Sequence, residues 1–146
     1  MKRVVIVEDN ALVAKYFRYV LERAGYTAAI TESGDEAVTL AREADTVAVL
    51  VDVSLRATQY AGRYIDGLEL SRILKDDQQT ARVPVIIATA HVMSGDRERF
   101  LQESRADGFL RKPVVDPQEL ISLVTRLTSP DSGEFSSQAG TTTKRR

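Results

Sequence analysis

Apolar residues cluster into short, nearly unbroken runs separated by helical patterns. Val4-Val5-Ile6-Val7 is one such run, and Val47-Ala48-Val49-Leu50-Val51 is another. Both are rich in β-branched residues and both stop at acid, at Glu8-Asp9 and at Asp52. Continuous apolar runs of this length read as strands buried on both faces. Between them, Leu12, Val13, Phe17, Val20, Leu21 and Ala24 follow at helical spacing, with Asn10 as N-cap and Gly25 as the stop. Thr27-Ala28-Ala29-Ile30 is a strand by its position in the alternation, and Ser33-Gly34-Asp35-Glu36 has capping-box spacing before a helix carrying Ala37, Leu40, Ala41 and Ala44.

Downstream of Asp52, residues Val53 to Ile65 show no clean period and read as a long loop. Asp66-Gly67 opens a helix carrying Leu68, Leu70, Ile73 and Leu74. Pro84 starts the strand Val85-Ile86-Ile87-Ala88 without costing a ladder bond in its middle. A helix follows over Asp96 to Glu103, then a short fifth strand, Gly108-Phe109-Leu110, and a last helix from Pro117 with Leu120, Leu123, Val124 and Leu127 as its stripe. Strands alternating with helices predict an α/β fold, a parallel sheet with helices on both faces. From Ser129 onward there is no Leu, Ile or Val, so residues 129–146 are expected to form a disordered tail behind a single domain over 1–128.

Composition narrows the functions available. The 146 residues suffice for one domain with a real core, and 43% hydrophobic with 28% charged residues suits a globular chain. A net charge of −1 gives no general pull toward nucleic acid or anionic membrane. The absence of cysteine excludes disulfides, thiolate zinc sites and thiol catalysis. His91 is the only histidine, with no second His or Cys to join it at a metal. The N-terminal apolar run is too short for a signal peptide or a spanning helix, so a cytoplasmic protein is expected.

If the five strands are parallel, their carboxyl ends share one edge, where open α/β sheets bind ligands. Glu8 and Asp9 come from the first strand, Asp52 from the third, Thr89 from the fourth and Lys112 from the fifth. Three carboxylates together repel unless a cation neutralises them, and hard oxygen ligands with few protein donors suit Mg²⁺. A hydroxyl and an ammonium beside that ion can hold the oxygens of a phosphoryl group, and a carboxylate so placed can act as its acceptor.

Ile6-Val7-Glu8-Asp9-Asn10, Asp52, Asp66-Gly67-Leu68-Glu69-Leu70, Pro84 to Ala90 and Lys112-Pro113 together resemble bacterial response-regulator receiver domains. The stretch Thr89 to Glu98 is similar in particular to stand-alone, DivK-like single-domain regulators. The resemblance runs from about Lys2 to Leu127. It implies a flavodoxin-like, CheY-like fold with strand order 2-1-3-4-5, and a phosphoacceptor role in two-component or phosphorelay signalling. Asp52 is then the phosphoacceptor, Asp9 a direct Mg²⁺ ligand, Glu8 a ligand through water and the Ser54 backbone carbonyl a further one, with Mn²⁺ able to replace Mg²⁺. Lys112 and Thr89 would contact the phosphoryl group, Thr89 and Phe109 would act as the switch, and Lys112-Pro113 would be cis. The implied partners are a histidine kinase or phosphotransfer protein and a downstream protein target, with no direct nucleic-acid or membrane contact.

Such a domain is not an enzyme in the ordinary sense, although it can catalyse its own phosphorylation and dephosphorylation. The competing reading is a phosphorylation-independent adaptor with the same fold; the complete set of acids, Thr and Lys counts against it. One departure stands out. The family's usual Met-Pro pair is replaced by Leu55 and Arg56, and Arg56 to Tyr64 looks like an insertion before Asp66-Gly67.

Overall fold

The computed structural model describes residues 1–55, 58–90 and 92–129. Its elements are β1 (Arg3–Val7), α1 (Ala11–Arg23), β2 (Thr27–Thr31), α2 (Gly34–Ala41), β3 (Thr46–Asp52), β4 (Thr58–Tyr60), β5 (Arg63–Ile65), α3 (Gly67–Asp76), β6 (Val85–Thr89), α4 (Asp96–Ser104), β7 (Gly108–Arg111) and α5 (Pro117–Thr128). A five-stranded sheet has the order β2-β1-β3-β6-β7, with every neighbouring pair parallel. With the β4–β5 hairpin set aside, this is the 2-1-3-4-5 order expected.

Alternation within the central strands splits the core in two. Val4, Ile6, Ala48, Leu50, Ile86, Ala88 and Leu110 point to one face and pack with Phe17, Val20, Leu21, Leu120 and Val124 of α1 and α5. Val5, Val7, Val49, Val51 and Val85 point to the other and pack with Ala37, Val38, Ala41, Leu70 and Leu74 of α2 and α3. Two-sided burial is why β1 and β3 read as unbroken apolar runs. Strand β2, at the sheet's edge, is only half-buried over Thr27–Ile30, which accounts for its weak sequence pattern.

Helix starts follow the side chains expected. Asn10 Oδ1 accepts from the N–H groups of Leu12 (3.0 Å) and Val13 (3.1 Å), and Asp66 Oδ1 accepts from the Glu69 N–H (2.9 Å). At α2 the Ser33 hydroxyl accepts from the Glu36 N–H (3.1 Å), but the Ser33 N–H donates to Thr31 Oγ1 (3.0 Å). The last residue of β2 thus serves the Ser33 amide that a capping box assigns to the Glu36 side chain.

Four sequence-based placements need correction. The Val53–Ile65 segment is not simply a loop: Thr58, Gln59 and Tyr60 pair antiparallel with Ile65, Tyr64 and Arg63. Ala61 and Gly62 turn the chain with φ of 52° and 82°, the two positive values a type I′ hairpin turn needs. Strands of three residues are too short for a period to show. Leu12 is 79% exposed, and Ala14 takes its place against the sheet. At 3.6 residues per turn Leu12 lies roughly 140° from Phe17, outside the buried stripe. Ala24 and Ala44 lie beyond the ends of α1 and α2 and are exposed.

Candidate functional site

The register of the central strands delivers the acidic residues to one place. Val7 of β1 pairs with Val51 of β3, so Glu8 and Asp9 emerge beside Asp52, the last residue of β3. Asp52 in turn lies opposite Ala88 of β6, one residue before Thr89. Thr89 pairs with Arg111 of β7, and its carbonyl accepts from the Lys112 N–H (2.9 Å). Each residue sits where its strand leaves the sheet, so the sheet itself sets their spacing.

The side chains converge. Glu8, Asp9 and Asp52 each offer a carboxylate oxygen within 4.8 Å of the others. Lys112 Nζ donates to Glu8 Oε1 (3.0 Å) and to Asp52 Oδ1 (3.3 Å). Glu8 Oε2 also accepts from the Asn10 N–H (3.2 Å), and Asp52 Oδ1 from the Ser54 N–H (3.2 Å). Glu8 and Asp52 are 3% and 5% exposed, whereas Asp9 faces solvent. Burial pushes the Glu8 carboxyl above the usual carboxylate range; the Lys112 hydrogen bond opposes this and the neighbouring Asp52 charge adds to it. One ammonium cannot balance three carboxylates, so the ionised site carries excess negative charge.

A divalent oxygen-seeking cation answers that imbalance. Oxygens around Mg²⁺ lie about 3.0 Å apart at adjacent vertices and about 4.2 Å apart at opposite ones, given Mg–O distances of about 2.1 Å. A set within 4.8 Å approaches that spacing. Asp9 offers an exposed carboxylate, while Glu8 and Asp52 are buried and both hold Lys112. The donor set is all oxygen, as Mg²⁺ and Mn²⁺ prefer.

The remaining expected residues are placed as follows. Thr89 is buried at the end of β6, and Ser54 is half-buried just past Asp52. The Lys112–Pro113 peptide is cis. Phe109 is half-buried rather than in either core cluster, with the Arg97 guanidinium 6.0 Å from its ring centre. It borders a cavity of about 650 Å³ together with Arg97, Arg111, Leu123 and Arg126. Tyr60 packs against the α2–α3 side of the core, and Tyr64 is 67% exposed. Arg56, His91 and the 130–146 tail lie outside the described residues.

The Asn10 and Ser54 amides that hold Glu8 and Asp52 were not evident beforehand, since backbone donors leave no side-chain pattern. Among the described residues no helix is long and apolar enough to cross a membrane.

The family model described as the response regulator receiver domain matches residues 4–125. The polar-differentiation response regulator DivK of Brucella ovis is 39% identical over 117 residues, covering 80% of this chain and 89% of that protein. Among solved structures, the receiver domain of the sensor histidine kinase PA1611 from Pseudomonas aeruginosa PAO1 superimposes with a TM-score of 0.72. It is 28% identical, covers 87% of this chain and 97% of its own, and holds a magnesium ion in its active-site cleft. A putative response regulator from Chloroflexus aurantiacus is similar at 28% identity and a TM-score of 0.74, covering 88% of this chain and 98% of its own.

Proposed function

We propose, from the premise that this chain belongs to the response regulator receiver domain family, that Asp52 accepts a phosphoryl group from the phosphohistidine of a kinase or phosphotransfer protein. One observation carries the reading: Glu8, Asp9 and Asp52 converge within 4.8 Å while Lys112 reaches both buried carboxylates. An adaptor that never meets phosphate gains nothing from packing like charges at this cost in desolvation.

In the transfer, an Asp52 carboxylate oxygen forms a bond to phosphorus as the phosphorus–nitrogen bond to the donor imidazole breaks. The bonding pair leaves with the imidazole nitrogen, and Asp52 becomes an acyl phosphate. Lys112 offsets charge on the phosphoryl oxygens, moving from its present carboxylate partners. The Thr89 hydroxyl donates to an oxygen of the attached group. Mg²⁺, or Mn²⁺ in its place, held by Asp9, Asp52, the Ser54 carbonyl and, through water, Glu8, supplies charge neutralisation when bound. Self-dephosphorylation follows the same logic, with a water oxygen bonding to phosphorus and the Asp52 oxygen leaving as carboxylate.

Output follows from a shift between two conformations. Drawing Thr89 toward the phosphoryl group frees space beside β7 for Phe109, which is half-buried and bordered by a cavity. The altered face, formed by α4, β7 and α5, then meets a downstream protein in the cytoplasm. No contact with nucleic acid or membrane is part of this reading.

Incubation with acetyl phosphate and Mg²⁺, followed by intact-mass measurement, tests it. The expected result is one added phosphoryl group, absent when Mg²⁺ is chelated beforehand and absent from Asp52→Asn. Undiminished labelling in that variant, or none in the wild type, would sink the proposal.

A further inference from the structure

The chain leaves β3 at Asp52, makes the β4–β5 hairpin and returns at α3, and the two ends of this excursion touch. The Val53 N–H donates to the Ala88 carbonyl (2.8 Å), tying the exit to β6, and the Gly67 N–H donates to the Val53 carbonyl (3.2 Å), tying the return to the exit. Gly67 is the first residue of α3 and is buried. A Cβ there would lie 2.0 Å from the Asp52 carbonyl oxygen, 2.7 Å from Val53 Cα and 2.8 Å from the Asp52 carbonyl carbon. All three are backbone atoms, so no change of rotamer relieves the overlap. The glycine is required by space and not by an unusual backbone angle.

We infer that Gly67 is a positioning residue for Asp52: its missing side chain lets the start of α3 press on the Asp52–Val53 peptide and so fix where the Asp52 carboxylate points. This rests on Asp52 being the phosphoacceptor. The carboxylate is held by two bonds at the long end of the normal range, from Lys112 Nζ (3.3 Å) and the Ser54 N–H (3.2 Å). Ser54 lies on the excursion itself, directly after the peptide that Gly67 touches. Moving that peptide far enough to admit a methyl group displaces the Ser54 amide and the root of the Asp52 side chain together. The carboxylate then turns away from Asp9 and Glu8.

Gly34 supplies the matched control. A Cβ there would lie 2.7 Å from the Gln59 carbonyl oxygen and 3.1 Å from Tyr60 Cβ, so it strikes the hairpin and not Asp52. The experiment compares wild type, Gly67→Ala and Gly34→Ala by acetyl phosphate labelling rate, Mg²⁺ affinity from calorimetry, and thermal midpoint. Both variants should melt earlier, but only Gly67→Ala should lose at least tenfold in labelling rate and in Mg²⁺ affinity, with Gly34→Ala within twofold of wild type in both. Wild-type labelling and affinity in Gly67→Ala, or equal losses in Gly34→Ala, overturn the inference. Should Gly67→Ala fail to fold, Asp66→Ala decides: loosening the cap of α3 should slow labelling severalfold in a folded protein, and an unchanged rate overturns the inference. A wild type that binds Mg²⁺ but takes no phosphoryl group defeats the functional reading, and the Mg²⁺ affinities of the variants still judge Gly67.

Discussion

Val53 separates two regions built in opposite ways. On its N-terminal side, β3 runs seven residues, pairs with β1 on one edge and β6 on the other, and ends with Asp52 buried. On its C-terminal side, β4 and β5 have three residues each and, among the described residues, pair only with one another. The hairpin is held by Thr58 and Ile65 in the core, by the Ala61 N–H to Asp35 Oδ1 (3.2 Å) and by an Arg63–Glu69 ion pair (2.6 Å). The difference reflects what each must do. Carboxylates brought within 4.8 Å of one another tolerate little displacement, so they sit at or just past the ends of strands paired along both edges. A surface hairpin closed at its base can vary in length and sequence without moving them.

Removing the positive charge from the acidic edge should have the largest effect on stability. Lys112→Ala leaves Glu8 and Asp52 facing each other without a cation, so we expect a loss of about 3 kcal/mol in metal-free protein. Urea denaturation with and without Mg²⁺ checks this, since the ion should recover a large part of the loss in the variant. An equal loss in both conditions would detach the lysine from the metal site.

Acidity should separate the two regions further. The Glu8 carboxyl titrates above its ordinary value in the fold because it is buried. Below the ordinary value it is protonated whether the chain is folded or not. As pH rises from there toward the raised native value, the unfolded chain loses its proton first, so metal-free stability falls and then levels off. Glu8→Gln should flatten this part of the pH profile. Mg²⁺ binding should run the other way, weakening as pH falls through the raised value, because it requires the carboxylate. The Arg63–Glu69 pair lowers the Glu69 carboxyl but is exposed, so its removal should leave both trends in place.

The smallest effect belongs to the hairpin turn. Ala61 has a side chain at φ 52°, a conformation that Asn tolerates better. Ala61→Asn should raise stability by about 0.5 kcal/mol, read from the denaturation midpoint, with acetyl phosphate labelling unchanged. A change in labelling would show that the hairpin is coupled to the acidic edge after all.

The central strands were legible because burial on both faces leaves an unbroken apolar run, and an acid at the end of such a run marks the edge of the sheet. The caps at Asn10, Ser33 and Asp66 were legible because each acts on amides only two or three residues away. Phe109 could be placed on its strand but not in its environment, since an aromatic at a strand end packs equally well into a core or against a surface cavity. Leu12 was misplaced although its angle on the helix already put it off the buried stripe.

Sequence alone therefore determined the order of elements and the residue types brought to one edge, because these follow from local periodicity and from the directionality of a parallel sheet. Only the tertiary structure decided that one lysine spans two buried carboxylates, that residues 58–65 form a hairpin, and that Gly67 lies against the Asp52 backbone. Each of these is a contact between segments remote in sequence or too short to show a period, and its distance is set by how whole elements pack.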